Sequence, residues 1–101
     1  MSMSPTRQDL LDLIEETYGD RHPDFESIQK QFELIGQETD KEEIRKDTNV
    51  LIAGVQAIKN TYEDWDELSD FEREKAIGAV GRMKNLTKST LKKYDVSAKA
   101  L

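Results

Sequence analysis

Cysteine is absent from this 101-residue sequence, histidine occurs once and proline twice. Without cysteine there is no disulfide scaffold, no thiol nucleophile and no thiolate-bound zinc. A single histidine, His22, excludes the HExxH metal site and every multi-histidine centre. It also excludes the carboxylate di-metal bundles, which need a Glu-x-x-His pair on each of two helices. No apolar run approaches the ~18 residues of a membrane span. The first 30 residues carry Arg7, Asp9, Asp12, Glu15 and Glu16 where a signal peptide would need an apolar stretch. The expected compartment is therefore cytoplasmic. Asn85-Leu86-Thr87 matches a glycosylation acceptor, which carries no meaning in such a compartment.

What is present is charge. Lys and Arg number 15, Asp and Glu 21, and the formal net charge is −6. Charged residues reach 36%, as many as the hydrophobic ones. A chain of this length makes one domain. We place it at residues 1–95, with 96–101 as a frayed C-terminal tail.

No β-branched alternation runs far enough to make a strand, so the expected fold is all-α. Ser4 and Pro5 open a first helix through Leu10, Leu11, Leu13, Ile14 and Tyr18, and Gly19 stops it. Pro23 opens a second, whose Phe25, Ile28, Phe32 and Ile35 form one stripe. Gly36 loosens its end. Asp40 and Glu43 have capping-box spacing before a third helix. There Ile44, Thr48, Leu51, Val55, Ile58, Tyr62 and Trp65 alternate steps of four and three, a heptad seam with one polar member. The acidic run Glu63 to Glu67 ends it. Ser69 and Glu72 form a second capping box, followed by Ala76, Ile77, Val80, Met83, Leu86, Leu91 and Tyr94. The expected architecture is a small antiparallel bundle of about four helices, the last two longest. A peripheral first helix or a dimerising hairpin are alternatives.

Few features carry chemistry. Glu63, Asp64, Asp66, Glu67 and Asp70 cluster, but the EF-hand pattern fails: Ser69 stands where Gly is required and Lys75 where Glu is. Glu15-Glu16 and Glu42-Glu43 are helix neighbours pointing about 100° apart, so they do not converge on one substrate. His22 reads as a loop or cap residue. Gly78 and Gly81 lie inside the fourth helix; close packing on the third helix, which carries Gly54, is the expected reason, and a notch for another chain's backbone is the alternative. No nucleophile, base and orienting group can be assembled, so no enzyme, cofactor or metal site is expected.

Two surfaces stand out. Tyr62, Trp65, Phe71 and Tyr94 are candidate anchoring aromatics. Trp65 sits beside four acids and is expected to be partly exposed, so Tyr62, Asp64, Trp65, Asp66 and Glu67 form the candidate partner-binding set. Residues 82–101 hold six basic side chains against Asp95, a charge of +5, and the first 81 residues sum to −11. Lys84, Lys88, Lys92 and Lys93 make a basic ridge there. The leading reading is a non-enzymatic interaction module of the inhibitor, immunity or adaptor type, whose protein partner has a basic surface. A nucleic-acid accessory protein using the lysine ridge, and a subunit of a homo-oligomer, are the alternatives.

Overall fold

A computed structural model describes residues 4–99, with side chains through Val96. Among these residues there are four α-helices, one 3₁₀ turn and no strand. The helices are α1 (Arg7–Tyr18), α2 (Phe25–Glu38), α3 (Glu42–Asp64) and α4 (Asp70–Lys99). The 3₁₀ turn is Trp65–Glu67. None is long and apolar enough to cross a membrane. The all-α bundle with its last two helices longest is thus observed.

Local chemistry fixes most helix ends. Thr6, not Ser4, caps α1: its hydroxyl accepts from Asp9 N–H, and Asp9 accepts from Thr6 N–H at 2.9 Å. Thr6-x-x-Asp9 supplies both halves of a capping box, which Ser4 with Arg7 cannot do. Gly19 ends α1 in the left-handed region, φ 82°, where a glycine carries no Cβ penalty. Asp24 rather than Pro23 starts α2, accepting from Ser27 N–H and hydroxyl. The Asp40–Glu43 box does not form. Lys41 is the N-cap of α3 without a side-chain bond, and Glu43 is drawn instead to Lys93. Ser69 and Glu72 do cap α4 reciprocally, at 3.0 and 3.2 Å. Helix α4 runs on to Lys99, past the boundary drawn at residue 95. Residues 100–101 of the expected tail, and the side chains from residue 97 on, lie outside the described residues.

The hairpins α2–α3 and α3–α4 are antiparallel. Phe25 meets Tyr62 at the start of α2, and Arg45 reaches Gly36 and Thr39 carbonyls at its end. Helix α1 departs from the antiparallel scheme. Arg7 lies beside Asp66, and Glu16 holds Lys84, so α1 runs in the same sense as α4. The linker to α2 doubles back, with Arg21 turned onto Asp12 and Glu15. The molecule is elongated, 52 × 25 × 20 Å. Its 14.7 Å radius of gyration exceeds the ~13 Å of a compact chain this size.

The apolar core joins Leu10 and Ile14 of α1, Phe25 and Phe32 of α2, Leu51, Val55 and Ile58 of α3, Trp65, and Val80 of α4. The α3 seam is buried as its spacing predicts, with Tyr62 half-buried. Towards the start of α3 and the end of α4 the interior turns polar. Thr39, Thr48, Thr87 and Thr90 are buried there. Thr48 and Thr87 donate to the carbonyls of Arg45 and Met83, both at 2.7 Å. Thr90 Oγ1 is buried with no partner among the described residues.

Glycines set two close approaches, one of them between α3 and α4 at Gly54. A Cβ on Gly54 would land on Met83 Sδ, and one on Gly36 would sit 2.7 Å from Thr48 Oγ1. Gly36 therefore brings α2 against α3 rather than loosening the helix. Gly78 meets only its own helix's Arg82, and Gly81 has open space. Neither packs on α3.

Candidate functional site

The candidate partner-binding set lies where α3 passes through the 3₁₀ turn into α4. Trp65 is 2% exposed, so it belongs to the core and not to the surface expected of it. Its seam position decides this: the steps from Ile58 to Tyr62 to Trp65 keep it on the buried face despite the four acids around it. Arg73 seals it from above. The guanidinium carbon stands 5.3 Å from the indole centroid. Nε donates to Trp65 O at 3.1 Å and Nη2 to Asp66 O at 3.3 Å. Trp65 O also accepts from Leu68 N–H at 3.2 Å, so Arg73 adds a second bond to it and ties down the turn.

Tyr62 is also committed within the chain. Its hydroxyl is hydrogen-bonded to His22 Nδ1 at 2.8 Å, and its ring is tilted against Phe25. His22 is thus a loop residue pinned to α3. Arg7 spans the same junction, donating to Tyr62 O at 3.4 Å and pairing with Asp66 at 3.1 Å.

Glu63, Asp64, Asp66, Glu67 and Asp70 are all exposed. Among the described residues no three metal-ligating side chains come together. Glu72 is held below the usual carboxylate range, chiefly by the Ser69 backbone N–H, then by its hydroxyl.

Phe71 takes the place that Trp65 leaves. It is 72% exposed, more than any other large apolar side chain described. The capping box explains this: Ser69 as N-cap puts Phe71 second in α4, nine residues before buried Val80. At about 100° per residue the two point in opposite directions. Glu67, Asp70, Glu72 and Glu74 lie within four residues of it in sequence. It lines a shallow hollow with Thr61, Leu68, Glu72 and Ala76, and Lys75 Nζ lies 6.0 Å from its ring centroid. The capping-box register alone could have singled out Phe71 as the exposed aromatic.

The basic ridge is divided. Lys84 pairs with Glu16 at 3.0 Å, and Lys93 with Glu43 at 2.7 Å and Asp47 at 3.4 Å. The bond to Glu43 raises Lys93 and lowers Glu43. Lys88 and Lys92 are exposed, and among the described residues neither has a carboxylate within 4.0 Å. Tyr94 donates to Glu38 at 2.9 Å, which raises its phenol. Burial alone pushes Tyr18, under the end of α1, up to about 12.

Set against known protein families, curated proteins and solved structures, the chain matches none.

Proposed function

We propose that the protein is a non-enzymatic interaction module that docks its acidic end onto a basic, apolar-notched surface of a protein partner. One observation carries this reading: Phe71 stands 72% exposed at the α3–α4 junction, in a segment rich in exposed acids. Exposing a phenylalanine forgoes roughly 1.5–3 kcal/mol of burial. Aromatic side chains that pass from water into a partner's pocket are typical binding anchors. The surrounding acids steer a basic partner and reject acidic ones. The nucleic-acid reading has less support. Among the described residues only Lys88 and Lys92 of the ridge have no carboxylate within 4.0 Å, and two phosphate contacts supply little affinity at physiological salt.

The test is capture by the tagged protein from nuclease-treated lysate of its source cells, comparing wild type, Phe71→Ala and an Asp64→Asn/Glu67→Gln variant. We expect one stoichiometric protein, weakened about 30-fold or more by Phe71→Ala. Salt and the charge variant should weaken it too. Undiminished capture by Phe71→Ala refutes the assignment.

A further inference from the structure

The far end of the molecule carries a complement to the acidic end. There α4 passes the start of α3 and leaves a groove of about 570 Å³. Its floor is Ile44, 3% exposed, and its wall Val96, 62% exposed. Lys41 and Lys92 stand on the rim, both exposed. Among the described residues neither has a carboxylate within 4.0 Å. The groove's acids are already engaged, Glu43 by Lys93 and Glu42 by Lys46. What this groove accepts is an apolar side chain flanked by carboxylates.

Phe71 among Glu67, Asp70 and Glu74 is such a group, and it belongs to the same chain. It cannot reach its own groove. Phe71 and Val96 are 25 residues apart on one helix, about 37 Å. A parallel two-fold pairing would set acids against acids or lysines against lysines, whereas pairing unlike ends satisfies both. The charge distribution favours contact between unlike ends, since residues 82–101 sum to +5 and the remainder to −11. We infer that a second copy of this chain docks head to tail, Phe71 of one copy entering the Ile44–Val96 groove of the next. Repeated head to tail the contact is heterologous and builds open chains, whereas a reciprocal antiparallel pair would stop at the dimer. This inference rests on the reading of Phe71 as a docking residue and names its partner.

The experiment is analytical ultracentrifugation of the full chain from about 10 μM to about 1 mM, the range in which weak contacts fill. Wild type should grow in mass with concentration, and less so in high salt. Phe71→Ala blocks the head, and Lys41→Glu/Lys92→Glu blocks the tail. Each variant alone should remain monomeric. Mixed, they should form a 1:1 dimer and stop, because one intact head meets one intact tail. Circular dichroism checks that both variants are folded. A wild type that stays monomeric throughout overturns the inference while leaving the capture test of Phe71 intact. Variants that associate like wild type, or a mixture that gives no dimer, overturn it as well.

Discussion

Trp65 and Phe71 are six residues apart, and their truncation should have opposite consequences. Trp65 is 2% exposed, within one cluster with Leu10, Val55, Ile58 and Val80. Replacing a buried Trp or Phe with alanine costs about 3–5 kcal/mol in transfer energy and cavity. Arg73 also loses the ring beneath its guanidinium. A domain of this size has about 5–15 kcal/mol in all, so Trp65→Ala removes a third or more of a typical value. With a urea slope of about 2 kcal/mol/M, the midpoint falls by about 2 M. The thermal midpoint falls by about 15–30 °C. Phe71→Ala removes an exposed ring, so its effect should stay within about 0.5 kcal/mol. Trp65 is the only tryptophan, so the assay is urea and thermal melting followed by far-UV circular dichroism. A Trp65→Ala midpoint within about 0.5 M of wild type would refute the burial argument. So would a larger loss in Phe71→Ala.

Thr90→Val replaces a buried, unpartnered hydroxyl with a methyl of similar shape. It should raise stability by about 1 kcal/mol, whereas Thr87→Val, which loses a bond to Met83 O, should not. Paired urea titrations read the difference. Gly81→Ala adds a Cβ into open space within α4 and should gain about 0.5–1 kcal/mol. Gly54→Ala should gain less or lose, because its Cβ falls on Met83, and thermal melts rank the two. Acid should destabilise the fold. Asp24, Glu43 and Glu72 are held below their ordinary values by Ser27 N–H, Lys93 and Ser69 N–H respectively. Their contribution is complete above the ordinary values of 3.8 and 4.5, and is lost as pH falls through the folded ones. A urea midpoint that holds or rises as the pH drops through that range would contradict it.

The heptad steps from Ile44 to Trp65 contain the burial of α3, because a helix hides residues by angular position alone. The same rule, continued from Val80 by sevens, reaches Thr87 and Tyr94, and from Met83 it reaches Thr90. Hydrophobic character points instead to Leu91, which is 42% exposed. Composition misleads there because a threonine hydroxyl can bond back to its own helix, as Thr87 does to Met83 O, and be buried without a tertiary partner; Thr90 is buried without that bond among the described residues. Local composition misleads at Trp65 too, where flanking acids suggest a surface that the periodicity forbids. Lys93 illustrates what one sequence cannot carry: its bond to Glu43 depends on how two helices pair across 50 residues. The reversal of the chain between α1 and α2 is similar, since nothing local distinguishes a linker that folds back from one that continues.

The direction of α1 bears on the order of assembly. Hairpins α2–α3 and α3–α4 each close a short loop, so their contacts form with little lost chain entropy. Helix α1 makes its tertiary bonds across 55 residues, from Arg7 to Tyr62, and 68, from Glu16 to Lys84. Nothing in its own hairpin compensates for that, because its linker leads away from the partner it packs on. Contacts so distant in sequence slow folding. Three consecutive helices thus form a unit that can assemble locally. Helix α1, the first of the four in sequence, is the last to gain its place and the first to give it up.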